Sequence, residues 1–145
     1  MIDQVGVVAR EVGDPATETD IVEAERALGV SFPRSYAGFL SEYGWADIGT
    51  REVYGLGRHL PVYQRVVDMT LEERSPENGA RIPRHLVVIF NDGGGNLHCL
   101  DTSRMIDEES PVVFWDHDMG PDQEPDEWSA NFVEWLAEAM ELEAE

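Results

Sequence analysis

LVVIFNDGGGNLHCLD, Leu86 to Asp101, is the stretch that decides the fold class. Leu86 to Phe90 is an apolar run of strand length, and Asn96 to Asp101 reads as a second strand. The turn Asn91 to Gly95 carries Gly93, Gly94 and Gly95, residues that accept the positive φ of a tight reversal, so the pair is expected as an antiparallel hairpin. Val112 to Asp116 (VVFWD) reads as a third strand, and the three are expected to form a meander.

Upstream the pattern is helical. Ile21, Ala24 and Leu28 share one face of a helix spanning Thr19 to Leu28. Thr17 with Asp20, or Asp20 with Glu23, offers its capped start, and Gly29 its left-handed stop. A second helix opens at Pro33, repeats Tyr36, Phe39, Leu40 and Tyr43 at helical spacing, and ends at Gly44. Together they make a helical hairpin with an aromatic inner face. The centre is mixed: Glu52 to Leu56 reads as a short strand, Val62 to Arg74 is ambiguous with room for a short helix around Asp68 to Arg74, and Pro76, Asn78, Gly79 and Pro83 mark a loop. Downstream, Trp128, Phe132, Trp135, Leu136, Ala139 and Met140 form one stripe of a closing helix, with Asp126 or Ser129 as its cap. The reading is α+β: a mainly antiparallel sheet packed against an N-terminal helical hairpin and a C-terminal helix. One domain is expected over residues 1–145, with its core from about 17 to 140.

Composition sets the class of partner. Of 145 residues, 42% are hydrophobic and 28% charged, a balance that supports a folded core. No apolar run approaches the roughly 18 residues of a membrane span, and MIDQVGVVAR lacks the basic start and long apolar centre of an export signal. A cytoplasmic protein, monomeric when free, is therefore expected. Thirty Asp and Glu face ten Arg and no Lys, for a net charge of −20. Nucleic acid and anionic membrane surfaces would repel such a chain, whereas a basic protein would be attracted. Asp101 to Glu145 holds fifteen of the acids against one base, Arg104. Within the last helix, Glu134, Glu138 and Glu141 repel one another at neighbour spacing, while Glu141 to Glu145 reads as a solvated tail.

Motifs for chemistry are weak. Asn91 to Asn96 resembles a phosphate loop only in its glycines, since the chain has no Lys and a strand follows. Asp116 to Glu127 has calcium-loop acids at its first, third and twelfth positions, but Gly120 stands at the fifth and Pro121 where the sixth position needs glycine. A looser cation site among Asp116, Asp118, Asp122 and Glu124 stays open, as does a metal-dependent hydrolase using Asp92, Asp116 and His117. His117, flanked by two carboxylates, is expected to favour its charged form. His98 and the lone Cys99 are strand neighbours facing opposite ways, so they do not make a nucleophile–base pair. Trp115, Trp128 and Trp135 are expected in the core, and Trp45 is expected to pack over the helical hairpin rather than stand exposed. No catalytic, cofactor or metal residues are assigned.

ALGVSFP followed by Pro33, Tyr36, Phe39, Leu40, Tyr43 and Gly44 resembles the SUKH superfamily, and within it the Smi/Knr branch named for a fungal cell-wall synthesis regulator. VYGLG, VVDMTLEER, LVVIFNDGGGNLHCLDTS, PVVFWDHD and the Phe/Trp helix follow in that family's order, so the resemblance runs from about Thr17 to Met140. It implies an α+β fold and, in bacteria, an immunity protein that binds and blocks a cognate polymorphic toxin domain, often a nuclease. It carries over no catalytic or cofactor residues. The expected mechanism is occlusion of a basic cleft by an acidic surface, with Asp47, Glu52, Asp116, Asp118, Asp122, Glu124 and Asp126 as candidate contacts. The alternative is a regulatory or scaffolding module like the fungal members.

Overall fold

Thr17 starts the first long helix with a reciprocal cap: its hydroxyl accepts from the Asp20 N–H at 3.1 Å while the Asp20 carboxylate accepts from the Thr17 N–H at 3.1 Å. That pairing satisfies two of the donors every helix start leaves open. The computed structural model describes residues 2–77 and 79–144, with side chains described as far as Glu141. In chain order its helices are α1 (Val5–Val8), α2 (Glu18–Leu28), α3 (Arg34–Tyr43), α4 (Val66–Arg74) and α5 (Phe132–Ala144). The strands are β1 (Glu11–Val12), β2 (Ala46–Ile48), β3 (Arg51–Val53), β4 (Leu86–Asn91), β5 (Leu97–Asp101), β6 (Val112–Trp115) and β7 (Asp126–Ser129). Of the predicted loop, Asn78 lies outside the described residues, as do the side chains of Glu143 and Glu145.

The strands make two antiparallel sheets, ordered β1-β2-β3 and β4-β5-β6-β7. The predicted hairpin is present, running from Leu86 opposite Asp101 to Asn91 opposite Leu97, with a bulge between Val88 and Phe90. The sheets meet where the Tyr54 N–H donates to the Ile89 carbonyl at 2.9 Å. One core serves both sheets: Tyr36 and Phe39 of α3 pack against Phe132 of α5 with ring centroids 5.1 and 5.4 Å apart. The Tyr36 hydroxyl donates to the Tyr54 carbonyl at 2.7 Å, which meets the polar demand of a fully buried phenol. The N-terminus is tied to the same hairpin, with Val5 fully buried and the Tyr43 hydroxyl donating to the Ile2 carbonyl at 3.0 Å. Gly55 of VYGLG sits where any Cβ would collide with the Gly44 carbonyl, which itself accepts from the Leu56 N–H at 2.9 Å. Here glycine is required by the close approach of two backbones.

Four elements differ from the sequence reading. Asp126–Ser129 is strand β7, with Asp126 opposite Phe114 and Ser129 opposite Val112, so the meander has four strands and neither Asp126 nor Ser129 caps a helix. Helix α5 starts later, where the Asn131 side chain accepts from the Glu134 N–H at 2.9 Å. Trp128 falls in register with the helical stripe by sequence alone; placed on a strand, it is 44% exposed and is not a core residue. The predicted strand over Glu52–Leu56 shifts to Arg51–Val53 and joins β1 and β2, which no periodicity marked. Helix α4 begins at Val66 rather than Asp68. Trp45 is half-buried, but its indole lies beside Gly13 and Gly57, outside the helical hairpin.

Candidate functional site

The three-stranded sheet sorts its side chains by alternation. Ala46, Ile48, Arg51 and Val53 turn inward, leaving Asp47 and Glu52 on the outer face. Register then sets Asp47 directly opposite Glu52 on one side and Glu11 on the other. Three carboxylates therefore stand in a row across three strands, an arrangement in which like charges destabilise the sheet. The Asp47 carboxylate accepts one hydrogen bond, from the Gln64 amide at 2.9 Å. The structure thus brings together two of the predicted contact residues and adds Glu11, which sequence reasoning missed. Strand β1 is only two residues long and carries no pattern from which its register could be read.

Of the other five predicted residues, Asp116, Asp118, Asp122 and Glu124 lie on the β6–β7 connection and Asp126 opens β7. Gln123 organises the connection: its amide oxygen accepts from the Asp116 N–H at 3.0 Å, and its amide nitrogen donates to the carbonyls of Asp116 at 2.7 Å and Gly120 at 2.9 Å. Asp116 in turn accepts from the Asp118 N–H at 2.9 Å. The Asn96 side-chain oxygen accepts from the His117 N–H at 3.0 Å and stands 2.7 Å from His117 Nδ1. An oxygen that already accepts from the backbone places the hydrogen of that ring contact on Nδ1. Nε2 lies 3.2 Å from Asp118. Asp118, Asp122, Glu124 and Asp126 are exposed, and Asp126 projects from β7.

Asp116, His117 and Asp118 hold ligand atoms within 4.8 Å of one another, and among the described residues they are the group within reach of a single ion. Asp122 and Glu124 are outside that group. Asp92 is outside it as well, its Oδ1 accepting from the N–H groups of Gly94 at 2.9 Å and Asn96 at 3.2 Å. The hydrolase triad of Asp92, Asp116 and His117 is therefore not assembled.

Beneath the four-stranded sheet lies a polar network that the sequence did not announce. His98 is 3% exposed among Phe90, Phe114, Trp128 and Trp135, and its Nδ1 accepts from the Trp135 indole N–H at 2.8 Å. Burial, reinforced by the nearby Arg51 charge, lowers its pKa to about 4 against the opposing pull of Asp92 and Glu138, so the ring is neutral at pH 7. Arg51 bonds Glu138 at 2.5 Å and sets its guanidinium 5.0 Å from the Trp135 ring centre and 5.7 Å from that of Phe90. Glu138 also accepts from the Trp128 indole at 3.1 Å. Burial pushes the Glu138 carboxyl up, but its bonds to Arg51 and Trp128 outweigh that and hold it below the usual range. Cys99 is fully buried, and burial drives its thiol pKa far up, so it behaves as a small apolar side chain. Among the described residues no helix is long and apolar enough to cross a membrane.

Two comparisons bear on this arrangement. The sequence matches the protein-family model described as SUKH_5: SMI1-KNR4 cell-wall over residues 1–141. Among solved structures, the crystal structure of a protein from Pseudomonas syringae pv. tomato is similar, with a TM-score of 0.63 at 17% identity. The likeness covers 84% of this chain and 85% of that one, and it is a likeness of fold.

Proposed function

The chain belongs to the SMI1-KNR4 cell-wall family, and from that premise we propose that it is an immunity protein, one that binds a cognate toxin domain with a basic surface and occludes it. Family membership supports a protein-interaction module as the general class. The observation that carries the narrower reading is the row Glu11–Asp47–Glu52, three carboxylates opposed across adjacent strands where they weaken the fold. A local arrangement that costs stability is explained when a partner's Arg or Lys neutralises it on binding. Asp116 of the β6–β7 loop extends the same chemistry, since its carboxylate is already held by the Asp118 N–H and loses less freedom on association. A nuclease suits such a partner because its phosphate-binding cleft is basic. Neutralisation is then steric and electrostatic, and requires no catalytic group from this chain.

Affinity capture with tagged protein from cells of the source organism, at low and high salt, identifies the partner. One dominant basic protein, released by salt, is the expected result. With that partner purified, Asp47→Arg/Glu52→Arg and Asp116→Arg/Asp118→Arg/Asp122→Arg variants are expected to slow association by at least ~10-fold at low salt and to flatten its salt dependence. Unchanged rates, affinity and neutralisation in both variants reject the acidic surface. Capture of several unrelated cellular proteins, none of them a toxin, favours the regulatory or scaffolding alternative.

A further inference from the structure

The second charge feature of this molecule is a basic one. Helices α2 and α4 end side by side, and between them and the entry to β4 lies a cavity of about 410 Å³. Three of the chain's ten arginines line it, Arg26, Arg74 and Arg84, together with Leu28, Leu71 and Ile82, and no carboxylate does so among the described residues. In a chain with three acids for every base, that is a local inversion of the overall charge.

The three arginines play different parts. Arg74 is anchored: its guanidinium donates to the carbonyls of Leu28 at 2.8 Å and Arg84 at 2.6 Å, tying the end of α2 to the start of β4. Its Nε is nonetheless buried with no hydrogen-bond partner, a donor deprived of water and of acceptor. Arg26 and Arg84 are exposed, and among the described residues their side chains make no hydrogen bond or ion pair, unlike those of Arg34, Arg51 and Arg104, which pair with Glu108, Glu138 and Glu127. Glu25 on α2 and Glu73 on α4 are committed to the N–H groups of Phe32 at 2.7 Å and Ala80 at 3.0 Å. Placement at a helix C-terminus accounts for Arg26 and Arg74, since the helix dipole favours cations there. It does not account for Arg84, or for the unmatched Nε.

The cavity is also remote from the acidic loop. Leu86 pairs with Asp101 at its end of the sheet, whereas Asn91 pairs with Leu97 at the other end, next to the Asn96–His117 contact. Five residue steps of strand separate these ends by ~17 Å, about two Debye lengths at physiological salt. The carboxylates of the loop therefore do little to neutralise the arginines.

We propose that this cavity is an oxyanion site for a small phosphate-class ligand, gripped by the forks of Arg26 and Arg84, with the anchored guanidinium of Arg74 adding a third positive charge to its wall. Guanidinium groups match oxyanions through paired N–H bonds. The volume admits a small molecule, and Leu28, Leu71 and Ile82 offer an apolar wall for whatever the phosphate is attached to. This site is independent of the toxin-binding reading and stands or falls without it.

The test is an NMR titration of the isotope-labelled whole protein with inorganic pyrophosphate at constant ionic strength. Saturable shifts of the Gly29, Ser75 and Arg84 amides are expected, half-complete below about 1 mM. Arg26→Ala/Arg84→Ala, two changes at exposed positions, is expected to weaken binding at least ~10-fold while leaving the rest of the spectrum in place. Shifts that fail to saturate, that appear equally around Arg10 and Arg58, or that persist unchanged in the double variant overturn the proposal. The titration of the unaltered protein decides the first two outcomes, whatever the variant's stability.

Discussion

His98 is the group through which acid should loosen this fold. It is 3% exposed, surrounded by Phe90, Phe114, Trp128 and Trp135, and its Nδ1 is occupied by the Trp135 indole hydrogen, so protonating it means breaking a hydrogen bond inside an aromatic box beside the Arg51 charge. Unfolded, the imidazole titrates near 6.5; folded, near 4. Above pH 6.5 both states carry it neutral and it makes no difference. Between 6.5 and 4 the unfolded chain binds the proton and the native one does not, so stability falls as pH falls. At ~1.4 kcal/mol per pH unit, the loss from this one group between pH 7 and pH 4.5 is about 2.5 kcal/mol. The perturbation that isolates it is His98→Gln, which removes the titration while keeping an acceptor for Trp135. Urea unfolding of both proteins across pH 4.5–7 is the assay. The stability difference between them should move by about 2.5 kcal/mol in favour of the variant as pH falls, whatever the thirty acids contribute to both. A difference that stays constant with pH, or an imidazole of His98 that titrates near 6.5 by NMR in the native protein, would refute the reasoning.

Two further predictions concern buried and opposed charge. Arg51→Ala should cost about 3 kcal/mol in urea unfolding, because it strips Glu138 of its partner and Trp135 of a stacked cation; combined with Glu138→Gln the losses should be clearly less than additive, and additive losses would mean the pair is not coupled. Glu52→Arg should raise stability by about 0.5 kcal/mol, since it turns a like-charged pair with Asp47 into an opposite one, while weakening binding to a basic partner; a variant that is destabilised would show that the carboxylates are not repelling each other.

The local elements are legible in the chain itself because their causes are local. The capping box of Thr17 and Asp20 lies within four residues, and the spacing of Tyr36, Phe39 and Leu40 needs only the helical period to be read as one buried face. The hairpin of Leu86–Asp101 is equally self-contained, since its turn and both strands are contiguous. What escapes is whatever depends on a partner distant in the chain. Trp128 has helical spacing to Phe132 and Trp135, but pairing of its strand with Val112 and Val113 overrides that signal and moves it to the surface of the box around His98. Strands of two and three residues, such as β1 and β2, hold too few alternations to reveal a face.

The same division runs through function. Sequence alone established an α+β fold of the family and a charge of −20 with the acids crowded toward one end, because charge and short-range periodicity are properties of composition and neighbours. Only the tertiary structure decided that Glu11, Asp47 and Glu52 stand shoulder to shoulder, that Asp92 is kept apart from Asp116, and that Arg26, Arg74 and Arg84 surround one cavity. Each of these follows from which strands and helix ends pack together across tens of residues. Electrostatic energy depends on distance in space, and the chain specifies that distance only by folding.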